Sequence, residues 1–148
     1  RLLRQGQMIG SSAFFVLWDA SRKSYKSLQI SQISSNMLRT VVHYSLHLLA
    51  PGVIALAFGK GRRRKAYLVM LATMAIDLDH LLATPIFDPD RMSVGFHPLH
   101  SWWLAAVYAV MCVLPYEKLG WKWWLRAVGI GLTLHILTDW QDYVLWKI

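Results

Sequence analysis

Long apolar runs separated by short polar segments fill the chain from about residue 41 onward. The runs are too long for ordinary strands and show no alternation of apolar and polar positions, so each predicts an α-helix. Each also approaches the ~17–25 residues with which a helix crosses ~30 Å of hydrocarbon. We therefore expect an all-α fold, a four-helix transmembrane bundle with short loops. The runs occupy residues 41–58, 66–87, 99–115 and 121–146.

Three short polar links join these runs, at residues 59–65, 88–98 and 116–120. Short links make successive helices antiparallel. Lys and Arg concentrate in and beside the first and third links, which the positive-inside rule assigns to the cytoplasm. The pattern predicts a multi-pass protein whose second link faces the opposite side of the membrane.

Residues 1–36 differ from the rest of the chain. They are rich in Ser and Gln, and their one apolar stretch, residues 11–18, is too short to span a membrane. Arg1 and Arg4 before that stretch are compatible with a signal peptide. We favour an N-terminal extension over residues 1–36, poorly ordered or outside the native protein, with Met37 as the natural start and 37–148 as the four-helix domain.

Composition narrows the functional classes. The chain has 148 residues, a length typical of one domain, and its 55% hydrophobic and 16% charged residues exclude a disordered chain. Its single cysteine, Cys112, excludes an intramolecular disulfide and a CxxC zinc ribbon. The net charge of +8 is concentrated between apolar runs, which predicts membrane lipids as partners and no nucleic acid. The alternative is a soluble helical bundle with basic loops.

Nine ionisable residues lie in or beside the apolar runs, and they include all six histidines. Each costs at least ~2.5–3.5 kcal/mol at the centre of a membrane by insertion scales, so the set needs a functional reason. With antiparallel helices, all nine fall at one end of the bundle, opposite the basic links. They are His43, His47, Asp77, Asp79, His80, His97, His100, His135 and Asp139.

The spacing of these residues indicates shared helix faces. Residues three or four apart lie on one side of a helix, and three pairs meet this condition: His43/His47, Asp77/His80 and His135/Asp139. Asp79 points elsewhere on a regular helix. Pro85 disfavours helix at Thr84, and we expect a loosened helix end to let Asp79 turn inward.

Imidazole and carboxylate ligands together suit a divalent transition metal, zinc first, with manganese or iron as alternatives. All nine residues are therefore candidate ligands. Nine exceed one tetrahedral site and suffice for two metals ~3.5–4 Å apart. A carboxylate left off the metal, Asp79 or Asp139, would act as general base.

Four motifs carry a family resemblance: HYSLHLLAPG (43–52), DLDHL (77–81), GFHPLHSWW (95–103) and LHILTDW (134–140). In this order they resemble the small bacterial inner-membrane predicted metal-dependent hydrolases of the LexA-regulated type. The third motif departs from that family's RGxTHS form. The resemblance implies an inner-membrane location, and the positive-inside assignment of the basic links then predicts a site on the periplasmic side. It also implies metal-binding or catalytic roles for His47, Asp77, Asp79, His80, His100, His135 and Asp139.

The function expected from residues and resemblance together is an integral membrane metal-dependent hydrolase acting on a small-molecule or lipid-like ester or phosphoester. One alternative is a haem-binding electron-transfer protein, with axial ligands drawn from His47, His80, His100 and His135. Another is a protein that handles metal ions or protons without hydrolase activity. For the metal site, Asp142 is a candidate to support the ligands from outside, or else it faces water. The sequence leaves the oligomeric state open.

Overall fold

A computed structural model describes residues 11–86, 88 and 91–146. Residues 1–10 of the predicted N-terminal extension lie outside the described residues. The fold consists of α1 (Ser11–Ala55), α2 (Arg63–Ala72), a 3-10 helix (Thr73–Leu82), a short 3-10 turn (Pro98–His100), α3 (Trp102–Val113) and α4 (Trp124–Trp146). Over the described residues, the prediction of an all-helical fold with four α-helices is confirmed.

The chain divides into two compact units, residues 1–38 and residues 39–148. In the first unit, residues 14–38 belong to α1 and are exposed to solvent. An ion pair of 2.7 Å between Lys23 Nζ and Asp19 Oδ2 joins successive turns of this stretch. The second unit contains the rest of α1, the other helices and every candidate site residue.

The transmembrane prediction is wrong, because no described helix combines the length and the apolarity that a membrane crossing requires. With 12 residues, α3 rises only ~18 Å. The 23-residue α4 is long enough, but Arg126, Asp139 and Asp142 lower its hydropathy. The second apolar run does not form one α-helix, since α2 ends at Ala72. The four-span bundle, the multi-pass position in the inner membrane and the site at its outer face are all overturned by this finding.

The change from α-helix to 3-10 helix at Thr73 determines which side chains point inward. A 3-10 helix has three residues per turn, so every third side chain lies on the same face. Thr73, Ile76 and Asp79 form this buried stripe. Asp77 and His80, also three apart, lie together on a different face. Asp79 therefore turns inward as expected, and the 3-10 geometry is the cause.

The second unit packs around α4. One apolar cluster centres on Ala55, Ala66, Met70 and Ala127, and another on Ile76, Val94, Tyr108 and Ile136. Two glycines of α4 allow close approach of its neighbours. A Cβ at Gly129 would lie 2.5 Å from the Cβ of Met111, and one at Gly131 would lie 2.6 Å from Thr73 Oγ1. This tight packing brings the polar second half of α4 against the 3-10 helix.

Candidate metal centre

Four separate segments supply the polar cluster of the second unit. α1 supplies one pair of histidines and α4 supplies one histidine and one aspartate, and in each pair the residues are four apart and share a helix face. The 3-10 helix supplies Asp77, Asp79 and His80. The turn Pro98–His100 supplies His100, and Gly95, with φ +88°, closes the preceding loop by donating its N–H to the His100 carbonyl at 2.8 Å.

Four ligand atoms converge at the middle of the cluster. His135 Nε2 lies 3.0 Å from Asp77 Oδ1 and 3.4 Å from Asp139 Oδ2. His100 Nε2 lies 3.5 Å and 3.3 Å from the same two oxygens. Nε2 of His100 is buried and forms no hydrogen bond, although it faces both carboxylates. We call this set the four-residue centre: Asp77, His100, His135 and Asp139.

Asp79 supports the centre from behind. Its Oδ2 accepts the backbone N–H of Leu99 at 2.8 Å and lies 3.1 Å from His100 Nδ1. Its Oδ1 lies 3.1 Å from His80 Nδ1. Since an ionised carboxylate only accepts hydrogen bonds, Nδ1 of His100 carries a proton toward Asp79 and Nε2 faces the centre. Both oxygens of Asp79 are thus engaged by protein donors.

A second group of ligand atoms adjoins the first along α1. His47 Nε2 lies 3.2 Å from Asp139 Oδ1, and His43 Nε2 lies 3.9 Å from the same oxygen. The rings of His47 and His135 are 4.4 Å apart. We call His43, His47 and Asp139 the α1 group. Asp139 belongs to both sets, with Oδ2 directed at the four-residue centre and Oδ1 at the α1 group.

An ion pair flanks the α1 group. Arg39 donates from Nε and Nη2 to Asp142 Oδ2 at 3.0 Å and 2.8 Å. The other oxygen of Asp142 lies 3.9 Å from His43 Nδ1. Asp142 Oδ1 and His43 Nδ1 are both buried and form no hydrogen bond. Arg39 thereby fixes a carboxylate on the side of His43 that faces away from Asp139.

His80 and His97 lie at the edge of the cluster. Their rings stack with centroids 3.8 Å apart, and His97 is buried. The Nε2 atom of His80 lies 3.2 Å from Ser93 Oγ, while its Nδ1 faces Asp79 and the Asp77 carbonyl. A third set of close ligand atoms (Asp79, His80 and His100) exists, but these atoms already pair with one another. His97 belongs to none of the three sets.

The electrostatics of the metal-free cluster are those of alternating cations and anions. Burial opposes protonation of His100 and His135, but the neighbouring carboxylates outweigh burial and raise the pKa of His100 to about 10 and that of His135 to about 9. Burial likewise opposes ionisation of Asp77 and Asp139, but the adjacent imidazoles of His100 and His135 outweigh burial and hold the pKa of each carboxyl well below its usual range. Burial and the nearby His47 lower the pKa of His43.

Eight of the nine residues predicted from the sequence therefore belong to one or more of these sets of close ligand atoms, and His97 packs beside them. Sequence reasoning missed Ser93 and the role of Arg39. Arg39 precedes His43 by four residues and Asp142 follows Asp139 by three, so helical periodicity alone would have placed this pair beside the α1 group. For Ser93, which lies in a loop, the sequence offered no such signal.

Arg91 lies in the loop between the 3-10 helix and the turn that carries His100. Its Nη2 donates to the carbonyl oxygens of Pro85 and Ile86 at 2.9 Å and 3.1 Å. Its guanidinium lies 4.6 Å from the centroid of the Phe96 ring. The side chain thus ties together the loop that precedes His97.

Comparison with known families identifies one family for most of the chain. The model of DUF6122, a family of unknown function, matches residues 37–146. The chain belongs to the DUF6122 family. The comparisons with curated proteins and with solved structures gave no match. Since DUF6122 carries no assigned activity, the resemblance to metal-dependent hydrolases stays a prediction. What the structure adds is that His/Asp groups of this DUF6122 protein could hold a metal ion.

Proposed function

We propose that the DUF6122 protein is a metal-dependent hydrolase whose four-residue centre holds a divalent transition metal. Zinc is the metal that these ligands suit best. The observation that carries the proposal is the spacing of the ligand atoms. In a tetrahedral site with bonds of ~2.0–2.1 Å, neighbouring ligand atoms lie ~3.3–3.4 Å apart. Asp139 Oδ2 lies 3.3 Å from His100 Nε2 and 3.4 Å from His135 Nε2, which matches this spacing for three buried ligands. Asp77 Oδ1 lies 3.5 Å and 3.0 Å from the same nitrogens, beside the position that these ligands leave open.

The arrangement on the far side of His100 also supports a metal. A histidine that binds a metal through one nitrogen usually donates its other N–H to a carboxylate or carbonyl, which fixes the ring. Asp79 takes this part for His100, at 3.1 Å from Nδ1. The buried Nε2 of His100, without a hydrogen bond of its own, is left for a cation.

Asp77 marks the side from which a substrate would enter. Its side chain is 46% exposed, whereas those of His100, His135 and Asp139 are at most 8% exposed. We assign cation binding to the three buried residues and proton removal to Asp77 as general base. Three protein ligands beside an accessible position are typical of catalytic zinc, whereas structural zinc is enclosed by four.

A bound divalent cation would supply Lewis acidity and would lower the pKa of water toward neutrality, which suits hydrolysis of an ester or phosphoester. The protein's part is to keep the reacting groups fixed and largely dry. His100 and His135 are fully or almost fully buried, and Asp79 fixes the ring of His100.

An open apolar groove, lined by residues next to the centre residues in the sequence, supports a substrate with an apolar portion. Its volume is about 480 Å³, and its walls include Ile76, Leu99, Tyr108 and Leu132. Ile76 directly precedes Asp77 and Leu99 directly precedes His100. This adjacency favours a lipid-like ester or phosphoester over a wholly polar substrate.

The geometry favours a small cation over the haem alternative. Bis-histidine ligation of haem requires a porphyrin ring between two imidazoles. Between His100 and His135, the oxygens of Asp77 and Asp139 already lie within 3.5 Å of both Nε2 atoms. Carboxylates thus occupy the space that the porphyrin would need.

The proposal is tested with purified protein loaded with Zn²⁺ or Mn²⁺ and assayed on p-nitrophenyl butyrate and on bis(p-nitrophenyl) phosphate. Asp77→Asn should keep the metal and lose at least ~100-fold in kcat, as for a missing general base. His135→Ala should lose both metal and activity. Asp19→Asn, which removes an exposed carboxylate of α1, is the control and should match the wild type. A wild-type protein that binds no metal, or an Asp77→Asn variant with full activity, would overturn the proposal.

A further inference from the structure

We infer that the α1 group holds a second divalent cation and that Asp139 bridges the two metal positions. This inference rests on the proposed metal centre, because Asp139 serves both positions. The ligand atoms at the second position are His43 Nε2, His47 Nε2 and Asp139 Oδ1.

The two oxygens of Asp139 give the first support. Oδ2 faces the histidines of the four-residue centre at 3.3 Å and 3.4 Å, and Oδ1 faces His47 at 3.2 Å. A carboxylate whose oxygens face two separate histidine pairs is suited to bridging two cations. Paired metals in hydrolytic sites lie ~3.5–4 Å apart, a separation that a bridging carboxylate spans.

The second support for this inference is that a supporting carboxylate lies behind a histidine at both positions. At the four-residue centre, Asp79 lies against Nδ1 of His100 and leaves Nε2 facing Asp139. At the α1 group, Asp142 lies on the Nδ1 side of His43 and leaves Nε2 facing Asp139. Both positions thus combine an outer carboxylate, an imidazole and the shared Asp139, which is the pattern of a metal-binding histidine.

The third support is a pair of buried polar atoms that form no hydrogen bond. His43 Nδ1 and Asp142 Oδ1 are buried, lie 3.9 Å apart and form no hydrogen bond. Buried polar groups without partners are unfavourable. A shift of less than ~1 Å between these two side chains would bring the atoms within hydrogen-bond distance, and the resulting contact would fix the His43 ring for cation binding. Arg39 holds the carboxylate ready through its two hydrogen bonds to Asp142 Oδ2.

The test is the number of cations bound per chain, measured by elemental analysis after loading with Zn²⁺. We expect two in the wild type, one in His47→Ala and none at full affinity in Asp139→Asn. His97→Ala is the matched control, because it removes a buried histidine that belongs to neither position, and it should keep two. Loading with Mn²⁺ gives an independent readout, since two ions joined by one carboxylate couple magnetically and change the electron paramagnetic resonance spectrum. His47→Ala should restore the spectrum of an isolated ion.

A second variant guards against misfolding of His47→Ala. Arg39→Gln changes a partly exposed side chain outside both ligand sets, and it should weaken only the second cation, by ~10–100-fold in its dissociation constant. One cation in the wild type, with His47→Ala unchanged and His135→Ala empty, would overturn the second position and leave the proposed hydrolase centre standing. An empty wild type would overturn both.

Discussion

Asp79 Oδ2 and His100 Nδ1 lie 3.1 Å apart, and this contact determines which nitrogen of His100 faces the four-residue centre. The same oxygen accepts the Leu99 N–H at 2.8 Å. Asp79 is therefore fixed by the backbone of the turn whose histidine it orients. In the proposed centre Asp79 is a positioning residue, whereas the sequence suggested a ligand or general base.

Asp79→Asn should weaken metal binding without abolishing it. The amide is a weaker acceptor for the His100 Nδ1–H, and loss of a supporting carboxylate typically costs ~10–100-fold in metal affinity. A competition titration against a chromophoric chelator measures the effect. Ser93→Ala, which removes the partner of His80 Nε2, should change the affinity much less. Equal losses in the two variants would contradict the assigned role of Asp79.

The stability of the metal-free protein should fall as the solution becomes alkaline. The pKa values of His100 and His135 are raised from an ordinary 6.5 to about 10 and about 9, so the folded state holds protons that the unfolded state releases. Their stabilising contribution is complete below about pH 6.5 and is lost as the pH rises through 9 to 10. Urea unfolding of chelator-treated protein at a series of pH values checks this. Stability that is flat from pH 7 to 10 would contradict it.

Metal binding should have the opposite dependence on pH. Because His100 and His135 are protonated at neutral pH in the metal-free protein, a cation must displace their protons. Affinity should rise by up to about tenfold per pH unit for each proton displaced. Titration of the protein with ZnCl₂ in weakly buffered solution, with a pH indicator, counts the protons released. Binding without proton release would show that the cation does not contact these histidines.

Gly131→Ala should destabilise the fold by ~1–3 kcal/mol, as expected for overpacking. Its added Cβ would lie 2.6 Å from Thr73 Oγ1 and 3.0 Å from Met70 Cα, which is a backbone atom. Gly52→Ala is the control within α1, where the nearest atom to a new Cβ is at 3.6 Å. That substitution should be neutral or stabilising by ~0.5–1 kcal/mol. Thermal unfolding of the two variants beside the wild type compares them directly.

The sequence predicted much of the cluster because helical periodicity is a local property. His43 with His47, and His135 with Asp139, need only residues four apart on one helix to share a face. The order of the apolar runs and their short links then predicted that the groups would meet at one end. The role of each residue in the cluster depends instead on distances of 3.0 to 3.5 Å between atoms of different segments. The spacing of residues along the chain does not predict these distances.

The membrane prediction failed for a related reason. Counting apolar residues over 66–87 treats the run as one helix, whereas the α-helix ends at Ala72 and a 3-10 helix follows. The only helix-breaking residue considered in the sequence analysis was Pro85, which lies twelve residues after Thr73. No single residue near Thr73 announces the change. It accompanies tertiary packing, since Gly131 brings α4 against Thr73.

The Arg39–Asp142 and His47–Asp139 contacts join residues 103 and 92 positions apart in the chain. Apolar packing fastens the end of α1 at Ala55, whereas these charged contacts fasten the stretch from Arg39 to His47 against α4. In the proposed centre these charged contacts change when cations bind, whereas the apolar packing at Ala55 does not. The rate of amide hydrogen exchange along residues 39–50 would then report how many cations are bound, without the need for a substrate.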